Sequence, residues 1–247
     1  MDALLEGVSL TRFFGGVRAL HAVDVRLARG EVLGIIGPNG SGKTTLINLI
    51  AGNLQPSSGH IRLRGTVISG LPAHRIAGLG IARSFQVSRA FLGMTVEENV
   101  LVGALFGSAL TSRDLHDRAA EVEDVLKFIG LDRRRGHRVR TLNVPDRKKV
   151  DLGRALVMKP EVLLLDELMA GLDASDTEHM IGVVREISGR GVTVVIIEHV
   201  MNVIVNLCSR LLVLHHGQKI ADGPVHDVMR DRTILQAYLG PSYFEDA

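Results

Sequence analysis

The sequence predicts an α/β protein whose mostly parallel sheet is covered on both faces. Three observations predict it. The apolar residues Val32, Leu33, Ile35 and Ile36 read as a buried strand that runs into Gly37-Pro38-Asn39-Gly40-Ser41-Gly42-Lys43-Thr44. That octapeptide fits G-x-x-x-x-G-K-[ST] at every required position, and a helix with Leu46, Ile47, Leu49 and Ile50 on one face follows. Two later runs, Glu161 to Leu165 and Val192 to Ile197, read as buried strands that end on Asp166-Glu167 and Glu198-His199. Near the loop, Val23, Val25 and Leu27 alternate with Asp24 and Arg26, and Ile61 and Leu63 with Arg62 and Arg64. This period of two marks half-buried strands, so antiparallel strands accompany the parallel ones.

Taken in order, residues 4–28 read as strands, and Gly30 turns the chain into the strand that feeds the loop. Gln55 to Gly59 is a turn cluster, Pro72 to Ala77 a short helix, and Gly80 to Phe85 a strand ending at Gln86. Thr95-Val96-Glu97-Glu98 is a capping box that opens a helix through Val100, Leu101 and Leu105. Leu115, Ala119, Val122, Val125, Leu126 and Ile129 recur at helical spacing, with Gly130 as the stop. Residues 88–160 therefore read as a mostly helical insertion. Within it, Arg133-Arg134-Arg135-Gly136-His137-Arg138 is either a solvated face or a contact for anionic headgroups or an acidic partner. A later helix turns Met180, Ile181, Val184 and Ile187 inward. Leu211 to Ala221 reads as a hairpin around Gly217, and Val225 to Leu239 as a helical tail.

With 247 residues, 46% of them hydrophobic, the chain is long enough for a substantial core. A formal net charge of +2 is too mild a balance to call for nucleic acid. Cys208 is the single cysteine, so no internal disulfide forms, and its apolar setting from Val203 onward makes it a core thiol rather than a nucleophile. No run reaches the roughly 18 apolar residues of a membrane span, and Met1 to Glu6 lacks the shape of a signal peptide. The expectation is a soluble protein of a reducing compartment, made in the cytosol.

The chemistry follows from residue types at the predicted strand ends. Glycines let the loop turn tightly and bring its N–H groups close to phosphate oxygens, and the helix after it favours an anion at its N-terminus. Lys43 supplies a mobile point charge to the β- and γ-phosphates, and the Thr44 hydroxyl suits magnesium. Two adjacent carboxylates at the C-terminal end of a buried strand lie where open α/β sheets bind ligands. Asp166 suits magnesium through water, Glu167 suits the attacking water, and His199 stands at the corresponding end of a second strand. Phe13 and Phe14 lie upstream, where the plain alternative is ordinary core aromatics.

Together these motifs resemble the ATP-binding subunit of ABC transporters, and the resemblance covers essentially the whole chain. The loop at 37–44, Gln86, Asp166-Glu167, Asp173 and His199 follow that family's order. Phe14-Gly15-Gly16, Gly80 to Gln86, Met94 to Asn99 and Ala237-Tyr238-Leu239-Gly240 look most like the ATPases of branched-chain amino-acid uptake. Urea importers and the lipopolysaccharide-export ATPase are near in wording. The resemblance implies a P-loop NTPase (RecA-like) fold, with a mostly parallel sheet, an antiparallel β subdomain and a helical subdomain insertion. Residues 1–87 and 161–247 would form the catalytic core, and 88–160 the helical signature subdomain.

It also implies roles. Asn39, Gly40, Ser41, Gly42, Lys43, Thr44 and Thr45 would hold ATP; Phe14, or in second place Phe13, would stack on adenine. Thr44, Gln86 and Asp166 would hold Mg2+, and Gln86 would sense the membrane partner. Glu167 and His199 would be catalytic, and Asp173 would pair across a dimer. The implied partners are integral-membrane permease subunits and a second ABC ATPase subunit at the cytoplasmic face of the membrane, with no nucleic acid.

One motif departs from the pattern. The family's L-S-G-G-Q signature, which caps ATP held by the other subunit, falls at Leu142-Asn143-Val144-Pro145-Asp146, before a helix expected from Arg147 to Val157. Asn143 suits a helix cap and Pro145 a first turn. Pro145 has no N–H to donate, Val144 adds bulk, and Asp146 is expected to place a carboxylate near an anion. A homodimer would carry this defect in both sites, so a heterodimer is expected. The expected function is an ATPase that drives import of branched-chain or other amino acids. The alternatives are a regulatory subunit with a degenerate composite site, or the ATPase of a urea or lipopolysaccharide system. An ABC ATPase of DNA or ribosomes would usually carry a second ATPase unit, a coiled coil or zinc motifs, which the sequence lacks. A GTPase would carry a guanine-specifying Asn-Lys-x-Asp, also absent.

Overall fold

The computed structural model describes residues 3–84, 90–106, 115–231 and 234. Strands β1 (Ala3–Phe14), β2 (Val17–Ala28), β4 (Ser58–Leu63) and β5 (Thr66–Val67) form an antiparallel sheet in the order β2-β1-β4-β5. The second sheet combines β3 (Val32–Ile36), β6 (Ile81–Arg83), β7 (Val162–Asp166), β8 (Thr193–Ile197), β9 (Arg210–His215) and β10 (Gln218–Pro224). Its order is β10-β9-β3-β8-β7-β6, parallel throughout except for the β9-β10 hairpin at one edge. Every residue of β3, β7 and β8 is buried, as a parallel sheet covered on both faces requires.

Register brings the functional strand ends level. Ile35 of β3 stands opposite Ile197 of β8, and Asp166 of β7 stands opposite the same Ile197. The chain leaving each strand therefore emerges at one edge of the sheet. The alternation of side chains splits the strands between two cores. Leu33, Ile35, Leu164, Val195 and Ile197 face α1 (Lys43–Ile50) and the antiparallel sheet. Ile36, Leu163, Leu165, Val194 and Ile196 face α5 (Val144–Leu156), α6 (Ala174–Gly189) and α7 (Met201–Leu207). Met180, Ile181, Val184 and Ile187 are buried there, as their spacing predicts. Cys208 packs in this core, and burial pushes its thiol up to about 12.

Ahead of β6 lies α2 (Ala73–Gly78). The helical part comprises α3 (Val96–Phe106), α4 (Leu115–Phe128), single 3-10 turns at Asp132–Arg134 and Val139–Thr141, and α5. The capping box forms as expected: the Thr95 N–H donates to Glu98 Oε2 at 2.7 Å, and the Glu98 N–H donates to Thr95 Oγ1 at 3.1 Å. Gly103 sets the approach of α3 to α5, because a Cβ there would lie 2.3 Å from the Arg154 carbonyl oxygen. Helix α5 serves two cores. Val150 and Val157 at its end pack into the helical part, while Leu152 and Ala155 pack under the parallel sheet.

The basic run is the exposed face that one of its two readings expects, with three of its cations tied down: Arg134 pairs with Asp146, Arg135 with Glu97, and Arg138 donates to the Gly93 carbonyl at 2.8 Å. Other expectations are revised. Helix α5 starts at Val144, three residues before the expected Arg147. The tail helix α8 spans only Val225–Val228. Beyond it, Asp231 Oδ1 accepts the Ile234 N–H at 3.4 Å, and Ile234 is again helical. Apart from Ile234, residues 232–247 lie outside the described residues, as do Phe85 and Gln86 at the end of the expected strand after Gly80.

Candidate active site

At the end of β3 the chain enters the glycine loop. Gly37 has φ 151, and a Cβ on it would lie 2.1 Å from the Leu214 carbonyl oxygen, so no other residue fits. The loop folds around its own lysine: buried Lys43 donates through Nζ to the Gly37 carbonyl at 2.7 Å and the Pro38 carbonyl at 3.0 Å. Burial lowers the Lys43 pKa, and the carboxylates of Glu167 and Asp166 oppose that shift. The turn between β9 and β10 braces the loop, with the Gly217 N–H on the Ser41 carbonyl at 3.1 Å. A pocket of about 460 Å³ opens over this loop. Asn39 to Thr45 line it from below, Phe14 and Ala19 from the antiparallel sheet, and Glu167 from the end of β7. Its volume suits a small organic ligand, and the start of α1 presents free N–H groups to an anion.

Glu167 occupies a left-handed conformation, with φ 51, immediately after β7. A glutamate in this region is strained, and the surroundings over-determine it. Its N–H donates to the Ile197 carbonyl at 2.9 Å, and its Oε1 lies 3.0 Å from His199 Nε2. Lys148 of α5 donates to the carbonyls of Glu167 at 3.2 Å and Leu168 at 2.7 Å. The buried carboxylate of Glu198 accepts the Met169 N–H at 2.7 Å. Burial raises the Glu198 pKa against the pull of that hydrogen bond and of Lys148.

Asp166, just before this turn, is buried and asymmetrically bound. Arg83 Nη2 donates to its Oδ2 at 2.7 Å, while Oδ1 is buried with no hydrogen-bond partner. Arg83 also donates to the Asn48 side chain of α1 at 2.5 Å, joining β6, β7 and α1. An orphaned carboxylate oxygen is costly unless a cation or water completes it.

The structure brings together Phe14, Asn39 to Thr45 and Glu167 around one pocket, with His199 on Glu167. Phe14 and Phe13 are 44% and 45% exposed, so neither is a core aromatic, and only Phe14 lines the pocket, with the Arg12 guanidinium 4.9 Å from its ring centre. Gln86 lies outside the described residues. Asp173 is the N-cap of α6, its Oδ1 accepting the Asp176 N–H at 2.8 Å. Asn143 caps α5 by accepting the Asp146 N–H at 3.0 Å, and Pro145 sits in the first turn. Val144 is 53% exposed. The expectation for Asp146 is corrected: its carboxylate is largely buried against Arg134, with Lys149 at 3.9 Å, and is not a free charge presented to an anion. Arg83, Lys148 and Ala19 are contributors that the sequence did not single out, and Glu198 was read only as part of a strand end.

Comparison with known proteins places this geometry. Residues 20–170 match the family model described as ABC transporter. The chain is 32% identical to the high-affinity branched-chain amino acid transport ATP-binding protein BraF of Pseudomonas aeruginosa, over 96% of this chain and 98% of that protein. It is also 32% identical to the lipopolysaccharide export system ATP-binding protein LptB of Acidithiobacillus ferridurans, over 98% of this chain and 99% of that one. A crystal structure of the ADP conformation of an ATP-binding cassette of an ABC transporter superposes with a TM-score of 0.88 at 29% identity, covering 97% of this chain and all of that one. With its glycine loop, level strand ends and cassette fold, the chain belongs to the ABC transporter family as an ATPase subunit.

Proposed function

We propose that this subunit hydrolyses ATP in the pocket over the glycine loop, with Glu167 as general base and His199 as its partner. The observation that carries the reading is the 3.0 Å contact of His199 Nε2 with Glu167 Oε1, made by a carboxylate that lines the same pocket as Lys43. Asn39 to Thr45 would hold the phosphates through backbone N–H groups and the Lys43 charge, and Phe14 would stack on the base. Glu167 would take the proton of the attacking water while His199 holds the carboxylate in line. The orphaned Oδ1 of Asp166 and the Thr44 hydroxyl are oxygen donors that fit magnesium, with Gln86 as the third proposed ligand. When bound, that ion would neutralise phosphate charge. The proposed catalytic core is 1–87 and 161–247, with 88–160 as the helical signature subdomain.

The partners belong to the same reading. Among the described residues no helix is long and apolar enough to cross a membrane. Phe91, Leu92, Met94 and Phe106 nevertheless expose apolar surface on the helical part instead of filling its core. That surface would meet an integral-membrane permease at the cytoplasmic face. Asp173, which caps α6 through Oδ1, would use its other oxygen toward a second ATPase subunit. Branched-chain amino-acid import is favoured by motif wording as well as by the likeness to BraF; the equal identity to LptB makes lipopolysaccharide export the second reading. The exposed Val144 side chain and Pro145, which lacks an N–H, support a heterodimer in which this chain's signature segment serves the partner's ATP poorly.

Three outcomes test this. Lys43→Ala should weaken nucleotide binding about 10- to 150-fold in an equilibrium titration, the loss of one charge-assisted contact of roughly 1.5–3 kcal/mol; unchanged affinity would remove the phosphate loop from the account. Glu167→Gln should bind ATP as before and lose turnover, since an amide takes no proton from water; hydrolysis at the parent rate would exclude Glu167 as the base. In the assembled transporter, Lys43→Ala should abolish most ATPase activity and the equivalent change in the partner should cost less. Equal losses, or a fully active homodimer, contradict the heterodimer.

A further inference from the structure

The turn that carries Glu167 is held from a side that the hydrolytic chemistry does not use. Across Glu167, Leu168 and Met169, four backbone groups are bonded to residues outside the turn. The Glu167 N–H goes to the Ile197 carbonyl at 2.9 Å and the Met169 N–H to the buried Glu198 carboxylate at 2.7 Å, both next to β7 in the parallel sheet. The Glu167 and Leu168 carbonyls both accept from Lys148 Nζ, at 3.2 and 2.7 Å. Lys148 comes from a different part of the molecule. It lies on α5, two residues after Asp146, in the helix whose first turn is the segment at the signature position. Helix α5 packs at once into the helical core through Val150 and under the parallel sheet through Leu152 and Ala155.

An ammonium group with two carbonyl acceptors on consecutive residues fixes the orientation of both peptide planes. Glu167 is at φ 51, which a glutamate keeps only when its surroundings hold it. The site is also suited to a cation: burial lowers the Lys148 pKa, but the carboxylates of Glu198, Glu167 and Asp151 oppose the shift. Lys148 contacts no residue of the glycine loop in the identified hydrogen bonds, so its effect on nucleotide binding is indirect.

We propose that Lys148 is a positioning residue that clamps the Glu167–Leu168 carbonyls, aims the Glu167 carboxylate into the nucleotide pocket, and ties that aim to the placement of α5. This rests on the reading of Glu167 as the general base. It adds a route by which the segment Asn143 to Asp146 and the hydrolytic carboxylate of the same chain share one rigid element. A shift of α5 moves the ammonium, and with it the two carbonyls.

The test compares Lys148→Met, which keeps the bulk and removes the donors, with Lys148→Arg, which restores them. Both are made in the full-length subunit assembled with its partners, with Glu167→Gln as the reference. Equilibrium binding of a fluorescent ATP analogue and steady-state hydrolysis are measured on each. Lys148→Met should lower kcat roughly 10- to 100-fold, the scale of a reacting group misplaced by about 1 Å, with analogue affinity within about twofold of the parent. Lys148→Arg should recover most of the lost kcat. A parent-like kcat in Lys148→Met overturns the proposal, as does a parallel loss of affinity and kcat that Lys148→Arg does not repair. If Lys148→Met does not fold, Lys148→Gln is read in the same way, and failure of both to fold assigns Lys148 to stability and overturns the positioning role. The reference separates the two layers: an active Glu167→Gln removes the general-base reading itself. A silent Glu167→Gln beside an active Lys148→Met removes only the clamp.

Discussion

The structure depends on one turn in which a glutamate is held left-handed at the end of a buried strand. After Asp166 the chain has a single residue in which to leave β7 and direct a carboxylate back over the glycine loop. Glu167 does so at φ 51, a conformation that costs a non-glycine residue about 1–2 kcal/mol. The hydrogen bonds of Glu167, Leu168 and Met169 to Ile197, Lys148 and Glu198, each worth about 0.5–1.5 kcal/mol net, offset that cost. The partners come from β8, from the residue just after it, and from α5. The turn thus requires both the parallel sheet and the helical part to be in place.

The other side of the pocket is built by the same logic of prior satisfaction. Lys43 is already bonded to two carbonyls of its own loop, so its stem is ordered before any phosphate arrives. Gly37 lies against the Leu214 carbonyl and Gly217 is bonded to Ser41, so the β9-β10 hairpin sets the height of the loop above the sheet. Arg83 holds one oxygen of Asp166 and leaves the other without a partner. The identified hydrogen bonds gather around Lys43, Glu167 and His199, and Asp166 Oδ1 is left as an unpartnered oxygen suited to a cation.

Much of this was legible because it is local or periodic. The glycine loop, the two strands ending in Asp166-Glu167 and His199, the capping box at Thr95 and the inward face of α6 all follow from spacing within a few residues. What escaped depends on contacts distant in sequence. Asp146 reads as a free charge until Arg134, twelve residues earlier, folds against it. Lys148 is one of three consecutive basic residues with Arg147 and Lys149, and only its place on α5 turns it toward Leu168. Phe13 and Phe14 are equivalent as letters, but successive side chains of β1 point to opposite faces, so one lines the pocket and its neighbour does not. The break in the tail after α8 was missed because a period of 3.6 carries no warning of it.

The strain at Glu167 is the central physical claim, and stability measurements test it most directly. Urea unfolding of Glu167→Gly and Glu167→Ala compares two side chains that both lack the carboxylate, one of them free of the left-handed penalty. A strained turn predicts that the glycine variant is the more stable of the two, by ~1 kcal/mol. A glycine variant less stable than the alanine variant, by the roughly 0.5–1 kcal/mol that glycine's greater freedom in the unfolded chain costs, would show that residue 167 carries no such strain and would contradict the account.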